Sequence, residues 1–131
     1  MPQTQEPLPE VDRLARAVID AAVEVHRTLG PGYLESVYEE ACAIEFSLRK
    51  IPFERQRPIF VEYKEHPVGE GRVDMIVDGM LLVELKAVEA LAPIHKAQVI
   101  SYLKATGFTL GLLINFNVAL LKQGIQRIVL S

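Results

Sequence analysis

Apolar residues recur at helical spacing in the first third of the chain. From Val11 to Leu29 they form one stripe, which predicts an amphipathic helix, and Gly30-Pro31-Gly32 is expected to end it. A second helix is predicted from about Leu34 to Lys50, because Pro52 cannot continue it. Its inward-facing side chains are predicted to be Leu34, Val37, Ala41, Ile44 and Leu48.

Further along, the pattern changes to strands with one more helix. Alternating apolar and polar residues predict a strand from Pro58 to Lys64, followed by a turn at His66–Gly69. A third helix from Ala92 to Ala105 is expected to be capped by Gly107. The almost wholly apolar run Thr109–Phe116 is typical of a strand in a sheet that is covered on both faces.

A hairpin from about Arg72 to Ala87 and an edge strand from Gln126 to Leu130 complete the predicted elements. Their order is α-α-β-β-β-α-β-β. Because a strand, a helix and another strand follow one another, at least one pair of strands should be parallel, with a right-handed crossover. The sequence therefore predicts an α/β fold, with a central mixed sheet and helices on both of its faces.

The hairpin carries charged residues where a buried sheet should tolerate none. Asp74 lies on its first strand, Glu84 and Lys86 lie on its second, and Asp78-Gly79 between them is a strong turn signal. With a two-residue loop, Glu84 would point to the other side of the sheet from Asp74, because side chains alternate along a strand. With a three-residue loop, Asp74, Glu84 and Lys86 share one face.

We favour the three-residue loop, made of Val77, Asp78 and Gly79, which would set Asp74 opposite Leu82. Gly79 would then adopt the left-handed conformation that glycine takes at little cost. This register separates a charged face from one that is wholly apolar. The apolar face would hold Val73, Met75, Val77, Leu81, Val83 and Leu85.

Charges at core-like positions are costly unless they are paired or bind a metal. Two carboxylates on neighbouring strands, Asp74 and Glu84, could bind Mg²⁺ or Mn²⁺, which prefer oxygen ligands. Lys86 points the same way as Glu84 and could orient a water or stabilise a phosphate. This set is what a metal-dependent phosphodiesterase needs, but an ion pair between the lysine and either acid remains the alternative.

Other polar residues could join this site from the helices. Glu35 opens the second helix, where the helix dipole favours an acid, and it could be a third carboxylate aimed at the metal. Gln98 and Tyr102, four residues apart on the third helix, could contact substrate or a metal-bound water. Tyr38 and His26 are more typical of core positions, although His26 could lie beside Glu35.

Composition narrows the setting. The 131 residues include one cysteine, so no intramolecular disulfide can form and a reducing, cytoplasmic location is expected. No apolar run has membrane length, and we expect no membrane association. Residues 1–10 are predicted to be a disordered leader before one domain at 11–131. The net charge of −3 means that any phosphate binding must be local or carried by metal.

The segment Gly32-Tyr33-Leu34-Glu35-Ser36-Val37-Tyr38 matches a G-x-x-E-x-x-Y signature. The chain resembles the GxxExxY protein family, which is grouped with the PD-(D/E)XK nuclease superfamily, in this segment and in Asp74 and Glu84-Leu85-Lys86-Ala87. The chain also resembles the family at Gln98 and Tyr102 and in the run 111–116. The resemblance implies a restriction-endonuclease-like core and a metal-dependent nuclease site.

By that similarity, Asp74 and Glu84 would bind the metal, Lys86 would be the catalytic lysine, and Glu35 would be the acid of the first core helix. Gln98 and Tyr102 would match polar positions on the helix after the lysine strand. Val73 stands where the superfamily name has a proline, a position at which proline is often absent.

The leading hypothesis is therefore a Mg²⁺- or Mn²⁺-dependent hydrolase of nucleic acid, with DNA favoured over RNA as the substrate. The alternative is a catalytically silent nucleic-acid- or protein-binding module with the same fold, and the absence of a basic patch favours it slightly. Because specific nucleic-acid interfaces bury roughly 1,000 Å² or more, we also expect a homodimer, with residues 126–130 as a plausible contact.

Overall fold

The elements follow one another in the predicted order in the computed structural model, which describes residues 7–130. One short 3₁₀ helix, Leu121–Gly124, precedes the last strand. The helices are α1 Pro9–Leu29, α2 Glu35–Leu48 and α3 Pro93–Thr106. The strands are β1 Phe53–Tyr63, β2 His66–Val77, β3 Leu81–Lys86, β4 Leu110–Asn115 and β5 Ile125–Val129.

All five strands form one mixed sheet in the order β1-β2-β3-β4-β5. Only β3 and β4 are parallel, and α3 connects them, which confirms the predicted crossover. β4 is buried along its whole length, and β5 forms one edge of the sheet, both as predicted. The protein thus has the α/β fold that the sequence indicated.

The sheet separates two hydrophobic cores. On one face, α1 and α2 cover residues such as Met75, Val83 and Leu85. On the other face, α3 packs its Val99 and Leu103 against the sheet. Helices therefore lie on both faces, as the sequence predicted. None of the helices in residues 7–130 is long and apolar enough to cross a membrane.

The predicted inward face of α2 is wrong. Tyr38, Cys42 and Phe46 face the core, together with Glu39 and Ala43. The ring of Tyr38 stacks on Phe116 with centroids 4.6 Å apart, and Phe46 meets Phe53 edge-on at 5.7 Å. Aromatic side chains bury more area than aliphatic ones, so their stripe faces inward and the competing aliphatic stripe faces outward. Leu34, Ile44 and Leu48, which were expected inside, are exposed, and Val37 is partly exposed.

Further boundaries differ from the prediction. The first strand begins at Phe53, five residues before the expected Pro58. The turn between β1 and β2 lies at Lys64-Glu65, and the predicted turn residues 66–69 belong to β2. Both turn residues have positive φ, 48° and 69°, as a two-residue hairpin loop requires. Neither is the glycine or asparagine that usually identifies such a turn in a sequence, so the turn was not predicted. At the other end, α1 already begins at Pro9, within the predicted leader, of which residues 1–6 lie outside the described residues.

The β2–β3 hairpin has a three-residue loop, but it is placed one residue further along than predicted. Val77 pairs with Leu81, which leaves Asp78, Gly79 and Met80 in the loop. Gly79 has the expected left-handed conformation, with φ of 66°. Extending this register sets Asp74 opposite Glu84 instead of Leu82. From Met75 to Leu85 the side-chain faces are as predicted, because the shift in pairing amounts to two residues.

One residue of the predicted apolar face is on the other side. Val73 packs in the α3 core, whereas Met75 packs in the core under α1 and α2. The alternation of side chains is therefore broken at Asp74, where the β2–β3 ladder ends. On the neighbouring strand β1, Gln56 has a positive φ of 53°. The charged end of the hairpin is thus a local distortion of the sheet.

Candidate active site

Where β2 and β3 separate, each acid of the hairpin accepts a hydrogen bond from a main-chain N–H of the other acid's strand. The main-chain N–H of Asp74 donates to Oε1 of Glu84 at 2.8 Å. The N–H of Leu85 donates to Oδ2 of Asp74, also at 2.8 Å. These bonds replace the main-chain ladder that stops at Met75 and Val83. They hold one oxygen of each carboxylate and leave Oδ1 of Asp74 and Oε2 of Glu84 for other partners.

Burial perturbs the ionisation of both acids. Glu84 is 3% exposed, and this burial, reinforced by the negative charge of Asp74, raises its pKa to about 8. Burial also raises the pKa of Asp74, which the N–H of Leu85 partly opposes. Two carboxylates that disfavour each other's ionisation inside a protein are a common feature of functional sites, because a bound cation relieves the repulsion.

Glu35 reaches the same region from the first turn of α2. Its pKa is raised by burial and then by the charge of Asp74, while the positive charge of Lys86 opposes the shift. Glu84 in turn feels the charge of Glu35. The charge of Glu35 therefore acts together with the charges of the two sheet acids. The helix N-terminus favours the ionised form of Glu35.

On the opposite face, α3 supplies a chain of polar side chains. Nζ of Lys86 donates to Oε1 of Gln98 at 3.4 Å, and Nε2 of Gln98 donates to the hydroxyl of Tyr102 at 3.4 Å. Tyr102 packs so close to Gly71 of β2 that a Cβ there would lie 2.9 Å from its ring. Burial and the charge of Glu84 raise the pKa of Tyr102. The lysine is therefore positioned by α3 beside the acids.

Two residues of this site were not singled out as site residues from the sequence. Gln56 donates from Nε2 to Oε1 of Glu39 at 2.9 Å and to Oδ1 of Asp74 at 3.4 Å. Glu39 is buried and also accepts from Nε of Arg55 at 3.0 Å. The spacing of Glu39, four residues after Glu35, was the available signal, since both share a helical face. Periodicity gave no signal for Gln56, because its left-handed backbone arises only in the folded sheet.

Tyr38 and His26 make their contacts outside the carboxylate cluster. The Tyr38 hydroxyl donates to the carbonyl of Gly30 at 2.6 Å and accepts from the N–H of Tyr33 at 3.2 Å. His26 bonds through Nε2 to the carbonyl of Val118 at 2.8 Å. Both side chains therefore fix loops at the end of the sheet, and Tyr38 holds the loop that leads into Glu35.

The donor set suits a hard divalent cation. Among residues 7–130, no three or more His, Cys, Asp or Glu side chains already enclose a point where a metal could sit. The site offers instead two carboxylate oxygens that are not bound by the main chain, with Glu35 nearby. Mg²⁺ is usually held by one or two carboxylates while waters and substrate phosphates complete its shell, so the residues present fit such an ion.

A mixed sheet with two acids and a lysine at the point where its strands separate defines a nuclease-like α/β protein. Comparison with protein families matches residues 12–128 to the PD-(D/E)XK nuclease superfamily. The chain belongs to that superfamily. No curated protein matches the chain, and no solved structure matches it.

Proposed function

We propose that this protein is a metal-dependent nuclease that hydrolyses phosphodiester bonds. The observation that carries the proposal is the mutual arrangement of Asp74 and Glu84, with Lys86 two residues further along β3, in a chain of the nuclease superfamily. The buried, mutually repelling acids would gain most from a bound cation. An ion pair alone is a poor reason to bury such a group.

Each residue of the site has a proposed task. Asp74 and Glu84 would hold Mg²⁺ or Mn²⁺, and Glu35 would contribute a third carboxylate. When bound, the ion would neutralise charge on the phosphodiester and lower the pKa of a water. Lys86 donates to the attacking water or to the phosphoryl oxygens that gain charge in the transition state. Hydrolysis then adds the elements of water across the P–O bond.

Other polar groups keep these reagents in place. Gln98 fixes the ammonium of Lys86, and Tyr102 fixes the amide of Gln98. Gln56 does the same for Asp74, while Glu39 holds Gln56 from the side of α2. Positioning of this kind contributes to rate because a misplaced catalytic group loses much of its effect.

The substrate is proposed to be nucleic acid, with DNA before RNA. The net charge of −3 offers little general attraction to phosphate, so binding should depend on the metal and on Lys86. Salt should therefore weaken binding less steeply than it does for strongly basic proteins. A short exposed strand or a strand end would suit a site of this size better than an intact duplex.

Cleavage of labelled single-stranded and double-stranded DNA and RNA tests the proposal. The protein is incubated with Mg²⁺, with Mn²⁺ or with EDTA, and Asp74→Ala and Lys86→Ala are compared with wild type. Asp20→Ala and Lys104→Ala, which change exposed helix residues, are the matched controls. Metal-dependent cleavage that falls about 100-fold or more in the site variants alone supports the proposal. Cleavage that persists in both site variants refutes it.

A second candidate is a nucleic-acid-binding module without turnover. The specific observation in its favour is that Glu84, with a pKa of about 8, is largely protonated at neutral pH without a metal. A protonated acid is a poor metal ligand but can donate a hydrogen bond to a phosphate. This module would bind the same oligonucleotides in EDTA and leave them uncut with either metal.

A further inference from the structure

The outer face of α2 carries an apolar stripe that nothing covers within residues 7–130. Leu34 is 76% exposed, Ile44 is 61% exposed and Leu48 is 73% exposed, with Val37 less so at 37%. Together with the half-buried Ala41 they are spaced by three, four, three and four residues. This is the spacing of a coiled-coil seam, which one helix presents to another. Such exposed patches commonly mark interaction sites.

We propose that this stripe is the interface with a second copy of the chain, in which the two α2 helices pack antiparallel around a twofold axis at Ala41. A twofold interface must be complementary to itself. The stripe meets this condition, because its residues are nearly symmetric about Ala41. Antiparallel pairing sets Leu34 against Leu48 of the second copy and Val37 against Ile44 of the second copy, with small side chains at the centre.

The charges at the ends of α2 favour the antiparallel arrangement. Glu35 and the exposed Glu40 lie in its first half, and Lys50 follows its last turn. The buried Glu39 is held by Arg55, and Arg49 is paired with Glu45 within the chain. Antiparallel helices bring the acidic end of each to the basic end of the other. A parallel pair would place like charges together and align the helix dipoles unfavourably.

The surface beside the stripe is shaped to accept a side chain. A groove of about 190 Å³ runs between α1 and α2, and Val25, Leu29, Ala41 and Ile44 line its apolar part. Close approach at Ala41 would direct apolar side chains of the second copy into this groove. The pairing would also bring Lys50 of each copy toward the other's Glu35, so positive charge would be added beside each candidate active site.

The first test is the molar mass in solution by sedimentation over a range of protein concentrations. Wild type should form a dimer at tens of micromolar, and Ile44→Glu should be monomeric with an unchanged far-UV spectrum. Phe60→Glu changes an exposed apolar residue on β1 and should leave the dimer intact. A wild type that is monomeric up to millimolar concentration, or an Ile44→Glu dimer, overturns the proposal.

Cysteine cross-linking then tests the direction of packing. The native Cys42 is fully buried and its pKa is raised to about 12, so it should not interfere. After mild oxidation, the double variant Leu34→Cys/Leu48→Cys should form a covalent dimer, while Leu34→Cys alone should not. Efficient cross-linking of the single variant would indicate parallel helices and overturn the antiparallel arrangement.

Discussion

The N–H of Asp74 donates to the carboxylate of Glu84, so one acid of the candidate active site fixes the backbone of the other. Asp74 in turn accepts the N–H of Leu85, the residue after Glu84. The two acids are therefore a single structural unit. Substitution of either one should displace the other, and the effects of the two substitutions should not be additive.

The raised pKa of Glu84 predicts a loss of stability as pH rises in the absence of metal. In the unfolded chain this group releases its proton near its ordinary pKa of 4.5, whereas the folded protein keeps it until about pH 8. Between these values the folded state holds the extra proton, so each rise in pH favours unfolding. At ~1.4 kcal/mol per pKa unit, the total effect is roughly 5 kcal/mol.

Urea unfolding at pH 5 and pH 9 measures this effect against Glu84→Gln, which has no proton to lose. The free energy of unfolding of wild type should fall relative to that of the variant by a few kcal/mol. Glu62→Gln, on the exposed part of β1, should follow wild type. Equal pH dependence in wild type and Glu84→Gln would show that Glu84 does not titrate in this window.

Metal binding should release a proton from the same group. A carboxylate must be ionised to act as a ligand, and Glu84 is largely protonated below pH 8. Calorimetric titration with Mn²⁺ at pH 6.5, in two buffers of different ionisation enthalpy, should report release of close to one proton. At pH 9 the release should nearly vanish. The same proton count at both pH values would mean that Glu84 is not a ligand or is already ionised.

Two substitutions of Gln56 separate the effect of backbone strain from the function of the side chain. Its φ of 53° is unfavourable for any residue with a Cβ, but glycine adopts it freely. Gln56→Gly and Gln56→Ala both lose the hydrogen bonds to Glu39 and Asp74, so both should slow cleavage to a similar extent, about tenfold. Only Gln56→Ala keeps the strain.

Thermal and urea unfolding distinguish the two Gln56 variants. Gln56→Gly should be more stable than Gln56→Ala by about 1 kcal/mol, because left-handed backbone disfavours alanine by that order. If both variants cut as fast as wild type, Gln56 does not position Asp74. If alanine is the more stable of the two, strain at this position is absent.

Tyr38→Phe tests the contacts that the structure gives to the tyrosine of the G-x-x-E-x-x-Y segment. The change removes the hydroxyl that bonds Gly30 and Tyr33 but keeps the ring stacked on Phe116. Loss of buried hydrogen bonds should lower the free energy of unfolding by about 1–3 kcal/mol. The affinity for Mn²⁺ should change by less than about threefold. A large loss of affinity at unchanged stability would place the hydroxyl in the site itself.

Periodicity was sufficient to predict the elements but not the faces of α2. Its sequence carries two apolar stripes, and the aliphatic one with Leu34 and Ile44 has the more regular spacing. The stripe that faces the core contains Tyr38 and Phe46, whose rings find aromatic partners on Phe116 and Phe53. Those partners lie elsewhere in the chain, so spacing within the helix could not choose between the stripes.

The faces of the hairpin were predictable where strand alternation holds. From Met75 to Leu85 the parity survived the change in loop position, but it breaks at Asp74, where no sequence signal indicated a distortion. The direct pairing of the two acids did not follow, because it depends on which three residues form the loop. The contribution of Gln56 depends on a backbone distortion that a strand pattern does not reveal.

Calorimetric titration of wild type and Asp74→Ala with Mn²⁺ at pH 8.5, with and without a short DNA oligonucleotide, is the most direct test of the proposed site. At this pH Glu84 is largely ionised, and the oligonucleotide supplies phosphate ligands. Wild type should bind Mn²⁺, more tightly with DNA, and Asp74→Ala should not. Absence of binding by wild type in both conditions, or equal binding by the variant, would contradict a metal site at these residues.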